Sequence, residues 1–475
     1  MAIFYQPDNA FVGDVIPFYD NGLFKPFYLK IWRDYQGPDR INGWHMLTTS
    51  DHLHFTEHPT RIHGGTGSVL KIDGLYHMFY CKFDHTCTPM KQMVCHATSP
   101  DLKEWTELPE ETFMADGMIY EMSDWRDPFV FWNEEEQRYW MILAAQKHGK
   151  TMRKGCVGLC TSIDLKTWTY QQPLCAPATQ QSALECPDLF KMGDWYYLVY
   201  SAYTDRFQTL YRMSRSLNGP WITPARDTFD TRAFYAAKTG TDGVDRYIYA
   251  WNPTREFNMW KFNPQQSEGC DYNTWDWGGA MIVHKLIQNP DGTLSVTVPE
   301  TVDRVFSAPQ LVSIEPLNGD WAVEENSATV DTPYAYASAL LSHVPYECKL
   351  EADLSFTGRP REFGIALQVD ENFDMGYYVI FEPYRSRVQY KTGIRMYEDG
   401  GKMFPYDVEM ERPIELQPGN DYHIKIFVEG SILEVYLNDE IALSTRMFNY
   451  SARRFGLFAS EGAVVFKNIR LLTRA

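Results

Sequence analysis

Thr161-Ser162-Ile163-Asp164-Leu165-Lys166-Thr167-Trp168 is a turn that this chain writes more than once. Earlier copies are Thr98-Ser99-Pro100-Asp101-Leu102-Lys103-Glu104-Trp105 and Thr49-Ser50-Asp51-His52-Leu53-His54-Phe55. A weaker one follows at Ser214-Arg215-Ser216-Leu217-Asn218-Gly219-Pro220-Trp221. Successive copies lie about 50 to 60 residues apart, the period of propeller blades. In each, the Ser and Asp can satisfy turn amides while the closing aromatic packs back on a sheet. Two or three short apolar runs precede every copy, and helical periodicity is nearly absent. The spacing predicts an all-β fold opening with a five-bladed β-propeller. Its units start near Asp14, Ser68, Asp127, Glu185 and Phe234, and their first strands line a central channel.

Three of those starts are acidic: Asp14-Val15-Ile16-Pro17, Asp127-Pro128-Phe129-Val130 and Glu185-Cys186-Pro187-Asp188. Each acid opens a short apolar strand, and an aromatic strand follows: Phe27-Tyr28-Leu29, Tyr139-Trp140-Met141-Ile142 and Trp195-Tyr196-Tyr197-Leu198. A repeat sets equivalent positions around one axis, so the three carboxylates are expected at one channel mouth. An acid at a strand start is also a common turn device, which explains any one of them by structure alone. Three in register point to a site.

The pattern changes beyond about Pro299. Long alternating strands follow, clearest in Tyr422-His423-Ile424-Lys425-Ile426-Phe427-Val428 and Ile432-Leu433-Glu434-Val435-Tyr436-Leu437, a hairpin turning at Glu429-Gly430-Ser431. The expected organisation is a propeller over residues 1–300, a linker over 301–320 and a C-terminal antiparallel β-sandwich over 321–475.

Composition excludes some functions. The 475 residues carry a formal charge of -18, which repels nucleic acid and anionic membrane and favours a neutral small substrate. Aromatics at 15% suit β-structure and sugar-facing surfaces. Nine cysteines, an odd number without CxxC spacing, read as reduced thiols. With no basic region and apolar run near Met1, they indicate a cytoplasmic location. No HExxH or EF-hand pattern implies a metal, and no cofactor is expected.

Paired carboxyls are what glycoside hydrolysis needs: one to attack the anomeric carbon, one to protonate the leaving oxygen. A third can stabilise the positive transition state. The residues resemble glycoside hydrolase family 32, the invertase, inulinase and levanase group. Trp125-Arg126-Asp127-Pro128 is similar to its Arg-Asp-Pro motif, and Glu185-Cys186-Pro187 to its Glu-Cys-Pro motif. Phe234-Tyr235-Ala236-Ala237 and Trp277-Gly278-Gly279-Ala280-Met281 resemble its fifth-blade signatures. The resemblance implies a retaining β-fructofuranosidase acting on a small sucrose-like or short fructo-oligosaccharide, with Asp14 as nucleophile, Glu185 as acid/base and Asp127 as transition-state stabiliser. It implies that Arg126 holds a sugar hydroxyl or orders the carboxylates. Further candidates for substrate contact are His45, Lys30, Trp44, Ser68 and Trp251; the sandwich is a candidate homodimer surface.

The chain departs from the family pattern around the first acid. Phe11-Val12-Gly13-Asp14-Val15-Ile16-Pro17 keeps the Asp and loses both flanking Asn residues. Lys30 stands where a Gln is usual, Gly43-Trp44-His45-Met46 replaces Trp-Gly-His-Ala, and Gly65-Thr66-Gly67-Ser68 replaces Phe-Ser-Gly-Ser. Three other readings stay open: a fructosyltransferase, an inverting arabinan- or xylan-type furanosidase on a similar propeller, and a sugar-binding relative without catalysis.

Overall fold

A computed structural model of the chain describes residues 3–33, 42–88, 90–204, 206–258, 261–262, 269–271, 273–392 and 410–475. Two compact units divide it, one of residues 1–254 with 277–295 and one of residues 255–276 with 296–475. The first is the five-bladed propeller. Blade I is Ala10–Ile16, Phe27–Trp32, Gly43–Thr48 and Thr56–Pro59; blade II runs from Gly67–Ile72 to Thr106–Glu107. Blade III is Tyr120–Asn133, Arg138–Lys147, Gly155–Ser162 and Thr169–Cys175. Blade IV is Leu184–Met192, Trp195–Ala202 and Gln208–Ser214, and blade V contains Tyr235–Thr241, Arg246–Pro253 and Gly279–Gln288. The N-terminal segment closes the ring on blade V, where Tyr5 bridges Met281 and Val12 pairs with Gly279.

The recurring turns repeat their hydrogen bonds as well as their letters. Ser162 Oγ accepts the amides of Asp164 and Leu165 at 3.2 and 2.9 Å, and Asp164 Oδ1 accepts those of Lys166 and Thr167 at 2.9 Å each. Ser99 with Asp101, and Thr49 with Asp51, do the same for their own turns. The residue after each Asp, three after the Ser or Thr, takes a left-handed backbone: His52, Leu102 and Leu165 at φ 59°, 68° and 65°. That strain is tolerable because the flanking amides are all satisfied by the turn's own side chains. Trp168 then packs with Phe79 and Phe113 between blades II and III.

The second unit is the β-sandwich. Its sheet runs Met410–Pro413, Arg387–Thr392, Tyr377–Glu382, Glu362–Leu367, Arg454–Arg474, Glu347–Thr357, Tyr422–Glu429, Ile432–Leu437, Ile441–Arg446. The long strand Arg454–Arg474 serves both halves, pairing Glu362–Leu367 through residues 456–460 and Glu347–Thr357 through 463–472. Phe356, Phe363 and Phe381 form its ring-to-ring core, with centroids 5.2–5.3 Å apart. Residues 301–320, expected as a linker, are instead part of this sheet. A short helix, Glu300–Val305, leads into Phe306–Gln310, which pairs with Arg454–Arg474, and Ile314–Asn318 pairs with Ser327–His343. These strands are largely exposed, so they lack the apolar alternation that marks a strand in sequence. All nine cysteines are free, and no helix among the described residues is long and apolar enough to cross a membrane.

The turn chemistry is testable. Ser162 is almost fully buried, so Ser162→Ala removes one acceptor from two amides and is expected to cost about 1–3 kcal/mol in chemical denaturation. Ser162→Thr keeps the hydroxyl and should recover most of that loss.

Candidate active site

Four of the five inner strands break their pairing at the same level. The register with the neighbouring strand shifts between Val12 and Val15, Arg126 and Phe129, Glu185 and Asp188, and Tyr235 and Lys238. Each shift sets two residues opposite one, and the extra residue turns the strand and re-aims its side chains. At three of the four, the first bulged residue has a left-handed backbone: Asp127, Cys186 and Ala236 at φ 58°, 49° and 57°. The three acids therefore do not hold one equivalent position, as the repeat suggests. Glu185 precedes its bulge, Asp127 is the first bulged residue and Asp14 the second. Nor do they open their strands: Asp14 and Asp127 lie inside Ala10–Ile16 and Tyr120–Asn133.

The bulges bring the carboxyls together on one cavity of about 570 Å3. Asp14, Arg126, Asp127, Glu185, Tyr235 and Trp277 all line it. Each acid has different company. Asp14 Oδ1 accepts from Trp251 Nε1 at 2.9 Å and Oδ2 from Thr66 Oγ1 at 2.8 Å. Asp127 Oδ2 accepts the Cys186 amide of the next blade at 2.9 Å. Glu185 Oε1 accepts from Arg126 at 2.8 Å and Oε2 from the Tyr235 hydroxyl at 2.6 Å. Arg126, Glu185 and Tyr235 are the same residue of three successive blades, the one before the bulge, and they form one hydrogen-bonded row. Arg126 is itself held by Asp124 and by Gln92 Oε1, the latter at 3.2 Å.

Burial decides the electrostatics. It pushes the Asp14 carboxyl up, its two hydrogen bonds offset this in part, and Glu185 adds to the rise. Asp127 and Glu185 are likewise raised by burial; Arg126 opposes the rise, while Asp14 adds to it at Asp127 and Asp127 adds to it at Glu185. Three buried carboxyls sharing one pocket cannot all ionise easily, so a proton stays in the cluster above the ordinary carboxylate range. That leaves both a nucleophile and a proton donor available.

The other candidates are not brought to the cavity. Leu29 and Ile31 line it, so alternation turns Lys30 to the opposite face of the same strand. There Lys30 Nζ, Tyr28 hydroxyl and His45 Nδ1 converge on Glu57 at 2.8, 2.6 and 2.8 Å. Burial pushes Glu57 up, but His45, Lys30 and Tyr28 outweigh it and hold its carboxyl down to about 2. Trp44 is buried and supports the cavity wall from behind, its Nε1 donating to Gly65 O at 3.0 Å. Ser68 Oγ accepts the Val130 amide at 3.0 Å and ties blade II to blade III. Trp251 is fully buried behind the cavity wall, where it donates to Asp14 and packs against Tyr235 and Trp277.

Sequence reading passed over Thr66, Tyr235 and Trp277. Tyr235 was detectable, because it shares the row of Arg126 and Glu185. Trp277 explains one departure at the first acid: a Cβ on Gly13 would stand 1.9 Å from its Cζ2. The indole fills the place beside Asp14 that a side chain at 13 would take.

Known proteins agree with this architecture. The model of the glycosyl hydrolases family 32 N-terminal domain matches residues 5–294, and that of the family 32 C-terminal domain residues 323–473. The chain is 23% identical to sucrose-6-phosphate hydrolase of Escherichia coli, covering 90% of this chain and 84% of that protein. It is 24% identical to raffinose invertase of Escherichia coli, covering 94% and 89%. Exo-inulinase from Aspergillus awamori superimposes with a TM-score of 0.71 at 18% identity, over 99% of this chain and 97% of that one. These matches span both units, so the chain belongs to glycosyl hydrolase family 32 and is a glycoside hydrolase of the fructofuranosidase-like kind.

Proposed function

We propose that the chain is a retaining β-fructofuranosidase that releases terminal fructose from a neutral sucrose-like sugar or short fructo-oligosaccharide. The convergence of Asp14, Asp127 and Glu185 on one cavity, each with a different set of partners, carries this reading. Asp14 attacks the anomeric carbon; Trp251 and Thr66 fix both of its oxygens and so aim the carboxylate. Glu185 gives its proton to the leaving oxygen and then takes one from water, with Tyr235 and Arg126 orienting it. Asp127 stays charged beside the oxocarbenium-like transition state. Similarity to a raffinose invertase and a sucrose-6-phosphate hydrolase supports a sucrose-like substrate. A neutral sugar is favoured because Arg126 is committed to Asp124 and Glu185.

Product stereochemistry decides the mechanism. Proton NMR of the first turnovers should show β-fructofuranose; initial α-product would rule out the covalent fructosyl-enzyme. Glu185→Gln and Asp14→Asn should each lower kcat by at least about 10³-fold in a folded protein. A panel of sucrose, its 6-phosphate, and inulin- and levan-type oligosaccharides should release free fructose, with kcat/KM highest on an uncharged member. Products longer than the substrate would point to transfer instead.

The raised carboxyls also predict a stability cost. A carboxyl whose folded pKa lies above its unfolded value costs nothing at low pH, where both states are protonated. The cost grows as pH rises through the unfolded and then the folded value. Asp14→Asn keeps both hydrogen bonds, since its amide can donate to Thr66. It is therefore expected to raise the melting temperature at pH 7, with the gain vanishing toward pH 3, measured by calorimetry across that range.

A further inference from the structure

The sandwich unit has a cavity of its own, of about 380 Å3, which the proposed reaction does not use. That size falls within the roughly 300–1,000 Å3 range of small-ligand sites. Small residues lie in the sheet beside it: Gly364 stands in the ladder between Phe458 and Ile380, and Ala366 between Gly456 and Tyr378. Side chains in one cross-strand row share a face, so small residues between bulky ones leave a depression, into which the Phe373 ring settles over Gly456.

Aromatic rings wall this depression. The pairing of Ser327–His343 with Arg454–Arg474 shifts register between Thr332 and Tyr336. The bulge lifts Tyr336 to the surface, 42% exposed, with its ring stacked at 22° on Phe458 and centroids 6.1 Å apart. Tyr378 stands edge-on to Phe458 at 5.5 Å, and Phe373 edge-on to Tyr336 at 6.4 Å. Glu362, Asp374 and Lys391 complete the lining. Glu362 is recessed, and its carboxylate has no hydrogen-bond or ion-pair partner among the described residues. Lys391 lies across the ladder from Tyr378.

This combination selects a ligand class. Aromatic faces take the C–H face of a sugar ring, while its hydroxyls both donate and accept. Glu362 offers acceptors and Lys391 donors at the edge of the rings. Two acids against one lysine, on a chain of charge -18, disfavour an anion. A purely apolar ligand would leave the recessed carboxylate desolvated and unpaired. We propose that this cavity is a second sugar-binding site, which takes a short stretch of neutral oligosaccharide independently of the propeller cavity.

Calorimetric titration of the full chain carrying Glu185→Gln tests it, with an inulin-type tetrasaccharide and a cello-tetraose as probes. One binding equivalent is expected to depend on Tyr336: Tyr336→Ala should weaken it tenfold or more, and Lys391→Met should weaken it in the same direction. Tyr336 is exposed enough for the alanine variant to fold, and Tyr336→Ala in the otherwise unchanged chain should hydrolyse sucrose at an unaltered rate. Tyr336→Phe should retain most of the binding, since stacking needs the ring. If neither probe shows a Tyr336-dependent equivalent, the proposal is overturned. Failure of the propeller assignment would read differently: the Tyr336-dependent equivalent would remain and the other would vanish.

Discussion

Three carboxyl groups buried against one another are costly to assemble, and the propeller's local design answers that cost. Burial raises the proton affinity of all three, and each raises that of a neighbour. The compensation is unequal. Arg126 binds Glu185 directly and stands 3.9 Å from Asp127, whereas Asp14 has only neutral donors. Such inequality is useful, because it separates groups that would otherwise titrate alike. The constraint also explains why Arg126 is held by Asp124 and Gln92 rather than left to move.

The bulges are the mechanical counterpart of that electrostatic problem. An unbroken inner strand would alternate its side chains between two neighbours and send few toward the cavity. Interrupting four strands at one level re-aims several side chains at once. It also frees backbone amides, and Asp127 takes up that of Cys186. Blade II lacks such a shift; its strand Gly67–Ile72 pairs without interruption. It contributes from the preceding segment instead, where Thr66 holds Asp14.

The recurring turns were readable because their chemistry is local: a Ser or Thr and an Asp satisfy amides two and three residues away. The acids and Arg126 were readable for a similar reason, since short motifs mark the bulges. Contacts between blades were not. Nothing near Thr66 announces Asp14, and nothing near Trp277 announces Gly13. Lys30 was misplaced because most of Phe27–Trp32 is buried on both faces, so alternation could not show which side meets the cavity; His45 lies across the ladder from Tyr28 and shares the same face as Lys30. The sheet strands within 301–320 hid for the opposite reason, being exposed edges with little apolar signal.

The Gly13 and Trp277 contact has a bearing on how such a site can change over time. The indole and a side chain at position 13 compete for one volume, so neither can be altered freely while the other stays. Placing an amide side chain beside Asp14 at position 13 by a single substitution would first pass through a form in which two groups overlap. A smaller residue at 277 must come before it, and that intermediate opens a void next to a buried carboxylate. The order of steps is thus imposed by packing, and the present arrangement acts as a ratchet on this wall of the cavity.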